Sequence, residues 1–161
     1  MTSILQKMFE HNAWANLRLL DACAGLPAAQ LDATVPGTYG RIRDTLVHIF
    51  GAEKSYLAAL TGERPAHAFP PDGGFPGFDA LRSAARASGE GLVAVAARPS
   101  EDQIIHGERR GEPFSIPAST FMTQAINHAT EHRAEIKTIL TQQDIEPPNL
   151  DGWTFNQHDT S

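Results

Sequence analysis

Apolar residues recur at spacings of three and four in four separate segments of this 161-residue chain. That helical period, repeated four times with breaks between, is the strongest limit on what the chain can fold into. The first segment carries Leu5, Met8, Phe9, Asn12, Asn16, Leu19, Leu20 and Cys23 on one face and is closed by Gly25 and Pro27. The second runs from about Tyr39 to Leu60, with Ile42, Thr45, Leu46, Ile49, Ala52, Glu53, Tyr56, Leu57 and Leu60 aligned, and Thr61-Gly62 ends it. The third spans Asp79 to Arg98, with a stripe of Leu81, Ala84, Ala85, Ser88, Leu92, Val95 and Ala96. The fourth, Pro117 to Gln142, aligns Phe121, Ala125, His128, His132, Ile136 and Ile139, and its Pro117 followed by Ser119 and Thr120 fits helix initiation. Four amphipathic helices with long crossings predict an all-α four-helix bundle in one domain over residues 1–161.

The connections differ in kind. Pro65, Pro70, Pro71, Pro76, Gly73 and Gly74 exclude helix between Gly62 and Gly77, so a long ordered crossing loop is expected there. Residues 103–106 and 113–116 flank Arg109-Arg110-Gly111 and predict a short, irregular hairpin before the last helix. After Gln142, Pro147-Pro148 and the aromatics Trp153 and Phe155 suggest a non-helical tail lying back on the body.

Charge excludes some functions. Thirteen Lys and Arg against nineteen Asp and Glu leave a net charge of −6, and no basic run offers a nucleic-acid footprint. No stretch of about eighteen apolar residues predicts a membrane span. Lys7, Glu10, Asn12 and Asn16 interrupt any signal-peptide core, and the lone Cys23 suits a reducing compartment, so a cytoplasmic protein is expected.

The chemistry-bearing residues lie on helix faces. His128 and His132, four apart, share one face of the fourth segment. Two readings stand: core imidazoles bonded to backbone carbonyls, or a pair converging on one metal ion. A metal needs a third ligand, and His48 sits off-centre on the second segment's stripe. His67, His106 and His158 fall in loop or tail segments, and His11 beside Glu10 reads as outward-facing. Asn12 and Asn16 interrupt the first stripe and call for either inter-helix hydrogen bonds or substrate contact. Glu53 lies mid-stripe and requires a partner such as Arg133, Asn12 or a water on the metal. Asp44, four before His48, either orients that imidazole or sets a charge on the helix dipole. Other templates fail. The His128–His132 stretch matches H-x-x-E-H, a short pattern that arises by chance. No His has Glu three positions before it, as di-iron bundles need, and Ser88-Gly89 lacks a nucleophile elbow because Arg86 stands two before the serine. Cys23 reads as a small core hydrophobe.

Four runs together resemble a known family. They are residues 12–20 (NAWANLRLL), 46–53 (LVHIFGAE), 127–136 (NHATEHRAEI) and 145–151 (IEPPNLD), in this order. The chain resembles the DinB-like proteins, a superfamily of metal-binding four-helix bundles that also includes YfiT-like hydrolases and bacillithiol- or mycothiol-dependent enzymes. The resemblance implies an ion held by three histidines, here His48, His128 and His132, with zinc or nickel the expected metal, and a homodimer built on helix faces. It supplies no activity, because the fold hosts several chemistries. Three neutral imidazoles leave an open coordination position, so the expected function is activation of a small thiol cosubstrate toward a small-molecule electrophile, as an S-transferase or isomerase. A hydrolase using water on the metal is the alternative, as is a non-enzymatic stress-response module. Catalytic groups beyond the metal are unassigned.

Overall fold

Ser3 opens the first helix by accepting a hydrogen bond from the Gln6 N–H, and Gly62, left-handed at φ 73°, closes the helix that carries His48. The computed structural model describes residues 2–63, 74–98, 101–109 and 111–159. In chain order these form α1 (Ile4–Ala24), α2 (Ala28–Leu31), α3 (Ile42–Thr61), α4 (Phe78–Ala96), β1 (Ile104–Arg109), β2 (Glu112–Pro117), α5 (Ala118–Gln142) and α6 (Gly152–Asp159). The four long helices are those expected from periodicity. Each packs on two neighbours, α1 on α4, α4 on α3, α3 on α5 and α5 on α1, so that α1 and α3 face one another across the bundle. Where α1 and α4 meet, a Cβ on Gly89 would stand 2.8 Å from the Ala13 Cβ, so this contact requires glycine.

Several details depart from the expectation. The helix expected from Tyr39 begins at Ile42, with Arg41 as its cap, so Tyr39 lies in the preceding loop. The hairpin is regular rather than irregular: β1 and β2 pair antiparallel from Ile104↔Pro117 onward, and Gly111 takes φ 84° at the turn. The tail is not wholly extended, because residues 152–159 form α6, started by the Asp151 carboxylate accepting the Thr154 N–H at 2.7 Å. Phe155 seats this helix on the body, whereas Trp153 stays 83% exposed. His11, expected to face outward, is covered by this tail, its Nε2 lying 2.8 Å from the Leu150 carbonyl and its ring against Phe155. Pro117 starts α5 as anticipated, but its first-turn donors are met from outside. The Ser119 N–H and hydroxyl donate to Asp102 at 2.8 and 2.6 Å, which holds that carboxyl below its usual range. Of the long crossing loop, residues 64–73, His67 among them, lie outside the described residues. No helix among the described residues is long and apolar enough to cross a membrane. Cys23 is fully buried, and burial pushes its thiol up to about 12, in keeping with a core role.

The core is split into two apolar clusters. One gathers Leu19, Leu20, Ile42, Leu46, Ile49, Leu81, Ile136 and Ile139 with their neighbours, and the other Phe9, Leu57, Leu92, Val95, Met122 and Ala125. Between them lies a polar layer to which every long helix contributes. The Asn12 and Asn16 amides of α1 donate to one Glu53 oxygen of α3 at 2.7 and 2.8 Å, and Ser88 of α4 donates to the other at 2.8 Å. Arg133 of α5 donates to the oxygens of both amides, at 2.6 and 2.7 Å. Arginine only donates and a carboxylate only accepts, so both amide orientations are determined, and each asparagine relays between cation and anion. Thus Asn12 and Asn16 make the inter-helix bonds foreseen for them, and Glu53 has found its partners. Burial pushes the Glu53 carboxyl up, against the three donors and Arg133; burial also draws Arg133 down to about 10, still cationic at neutral pH.

Removing one end of this layer strands the other. Glu53→Ala is expected to cost about 3–5 kcal/mol, because the Arg133 charge stays buried without its counter-ion. The double variant Glu53→Leu/Arg133→Met is expected to lose less than the sum of the two single losses. Urea unfolding of the wild type, Glu53→Ala, the single variants Glu53→Leu and Arg133→Met and the double variant measures both.

Candidate metal centre

Periodicity put His128 and His132 in the middle of α5's apolar face; the structure moves them to its edge. The buried residues of α5 are Met122, Ala125, Ala129, Arg133, Ile136, Ile139 and Leu140, and the two imidazoles, only partly buried, lie beside them on the side that meets α3. His48 occupies the matching edge of α3, beside buried Leu46 and Ile49. Packing α3 against α5 therefore brings three rings together that are neither in the core nor fully in water.

The geometry is close. His48 Nε2 and His128 Nε2 lie 2.9 Å apart, and one donor nitrogen from each of His48, His128 and His132 falls within 4.8 Å of the others. The ring centroids of the three pairs are 4.4–4.8 Å apart. His132 Nδ1 lies 2.8 Å from Glu135 Oε2, and since the carboxylate accepts, the proton sits on Nδ1 and the Nε2 lone pair is left free. His128 Nδ1 is buried with no partner. Burial is the larger influence on His48 and His128, and the neighbouring imidazoles reinforce it: His48 is shifted down and His128 is drawn to about 4. Neutral imidazoles that cannot all protonate, yet crowd their lone pairs into one space, are the donor set a divalent transition ion uses. The triad could hold such an ion.

Two aromatic residues frame the cluster. Tyr39 stacks on His48 with centroids 4.1 Å apart and planes 15° from parallel, and presents its edge relation to His132 at 5.2 Å. Tyr56, two turns beyond His48 on α3, stands perpendicular to His128 at 5.9 Å.

The other candidates separate from this cluster. Asn12, Asn16, Glu53 and Arg133 meet one another in the buried layer, with Arg133 carrying its guanidinium inward while its neighbour His132 turns toward α3. Asp44 does not orient His48: its two oxygens accept from Arg41 at 2.6 and 3.2 Å, leaving it a first-turn charge on α3. The carboxylate that does hold a triad imidazole is Glu135, a residue the sequence reading does not single out. Its signal was its spacing, three residues after His132. Tyr39 falls at the start of the second helical period, and nothing in that period marks it as a loop residue lying on His48.

The lowered His128 value has a direct consequence. Its folded value of about 4 lies below the ordinary 6.5, so the unfolded chain binds the extra proton first. Stability of the metal-free protein is expected to be fully present above pH 6.5 and to fall as pH drops toward 4, with a shallower fall in His128→Leu. Denaturant unfolding at several pH values in the presence of a chelator checks this.

The DinB family model matches residues 1–160. No curated protein sequence matches the chain. With this match over nearly the whole length, on a helical fold that gathers His48, His128 and His132, the chain belongs to the DinB family.

Proposed function

We propose that His48, His128 and His132 hold a divalent ion, zinc or nickel, and that the protein is an enzyme activating a small thiol toward a small electrophile. A divalent ion held by neutral imidazoles keeps its full charge and, when bound, lowers the pKa of a thiol or water brought to it. The observation that carries the choice between those nucleophiles is the state of the nearby carboxylates. Glu135 is occupied by His132 and by the Tyr39 N–H, Asp44 by Arg41, and Glu131 points to solvent. Both Glu135 bonds fall on Oε2 and both Asp44 oxygens face Arg41, so these carboxylates serve to hold other groups, which supports the thiol reading because hydrolysis leans more on a base that takes a proton from water. In the thiol reaction the sulfur bonds to the electrophile, the leaving group departs with its electron pair, and the thiol proton passes to solvent. The chain's own thiol, Cys23, is buried in the core, so the sulfur comes with a cosubstrate. A homodimer, which the family resemblance implies, and a cytoplasmic setting, which suits a lone cysteine, complete this reading.

Protein purified without added metal is expected to carry a transition ion by elemental analysis, and His48→Ala and His132→Ala each to lose most of it. Full occupancy in both variants overturns the site. A panel of low-molecular-weight thiols with a generic electrophile then tests the reaction, with turnover expected for the loaded protein and loss of at least tenfold in His128→Ala. Metal-dependent ester or amide cleavage without thiol would instead favour the hydrolase reading.

A further inference from the structure

The loop between α2 and α3 supplies a wall of the site that three histidine ligands do not by themselves require. Its ends are tied down: the Thr38 N–H and hydroxyl both donate to the Val35 carbonyl, the Ile42 N–H to Ala33, and Arg41 pairs with Asp32 and Asp44. Between these ties Gly37, at φ 91°, turns the chain so that Tyr39 reaches the cluster. The Tyr39 ring lies flat on His48 while remaining 52% exposed, so it covers the site from the solvent side. Its backbone N–H donates at 3.2 Å to Glu135 Oε2, the same oxygen that accepts from His132 at 2.8 Å. One residue of the loop thus touches the α3 imidazole through its ring and the α5 imidazole through a shared carboxylate oxygen.

We propose that Tyr39 is a positioning residue for the ion-binding histidines, and that docking of the 36–41 loop and binding of the ion are coupled through Glu135. The inference rests on the metal reading above. A flat ring against His48 restricts rotation of that imidazole, and the Glu135 bond does the same for His132, so less side-chain entropy is lost when the donors are used. With its Nδ1 proton donated to Glu135 in a hydrogen bond, His132 would offer Nε2 to an ion, and use of that nitrogen would maintain the bond to Glu135 and with it the oxygen that receives Tyr39. Coupling of this kind is reciprocal: whatever factor loop docking adds to ion affinity, the ion adds to loop docking. Groups that orient a metal-ligating histidine typically change affinity by about 10–100-fold.

The test uses zinc as the probe, with affinity read by competition against a chromophoric chelator and hydrogen exchange followed in peptides covering residues 36–41. Zinc is expected to slow exchange at 36–41 in the wild-type protein and to leave it unchanged in Glu135→Ala. Tyr39→Ala is expected to bind zinc about tenfold more weakly while the unfolding midpoint of its metal-free form stays at the wild-type value. Tyr39→Phe, which keeps the ring and the backbone donor, is expected to restore wild-type affinity. Wild-type zinc binding with unaltered affinity in Tyr39→Ala and indifferent exchange at 36–41 overturns this inference and leaves the metal site standing. Failure of Tyr39→Phe to restore affinity overturns the role given to the ring. Absence of zinc binding by the wild-type protein overturns both readings.

Discussion

The Glu53 carboxylate is buried at the centre of the bundle, and the alignment of the four long helices depends on how it is satisfied. An apolar layer at this level would accept small rotations and slides of one helix past another, because dispersion contacts are not directional. Hydrogen bonds are. Two amides from α1, a hydroxyl from α4 and, one relay further, a guanidinium from α5 must all arrive with the right atoms forward. One relative placement satisfies every member, and others leave a buried charge without partners, which costs several kcal/mol. Buried ion pairs add little net stability over well-packed apolar side chains, whereas a layer of directional hydrogen bonds is suited to selecting a single register.

That register reaches the histidine cluster by a short path. Arg133 and His132 are adjacent on α5, so holding the guanidinium in the core directs the next side chain to the edge that faces α3. Glu53 and His48 stand in the same relation on α3, five residues apart and pointing differently, one into the polar layer and one to the edge. The edge position suits a ligand-binding imidazole. It is dry enough to disfavour protonation of His48 and His128, and the His132 side chain still keeps 12% of its surface open. Deeper burial would close the cluster to a substrate, and full exposure would return the rings to ordinary titration near neutral pH.

Family membership and chemistry separate at this point. A DinB bundle with three converged histidines offers a place that could hold an ion and says little about the reaction, since one fold serves many activities. What individualises this chain is the surround of the triad: a glutamate already engaged by two donors, a tyrosine lying across one imidazole, and a second tyrosine against another. Those contacts surround the place that could hold an ion, and within them Glu135 serves to orient an imidazole.

The sequence by itself determined the four helices, the hairpin before the last of them, the bundle class and the candidate pair His128 and His132, because a period of 3.6 and a pair of histidines four apart are local properties of the chain, whereas His48 joined them only through the family resemblance. It also marked Asn12, Asn16 and Glu53 as buried polar residues in need of partners, since each interrupts an apolar stripe. It left open which partners those were: Ser88 looked like one more small residue, and only the meeting of four helices shows that it donates to Glu53. The tail helix was missed because its stability comes from Asp151 at its start and from Phe155 packing on α1, not from its own weakly amphipathic face. Whether His48 belongs with the other two, that Glu135 rather than Asp44 orients an imidazole, and that Tyr39 comes from a loop to lie on the site were decided by tertiary structure alone. Those relations join residues as many as 96 positions apart, as Tyr39 and Glu135 are, and no periodicity along the chain encodes a distance between faces of different helices.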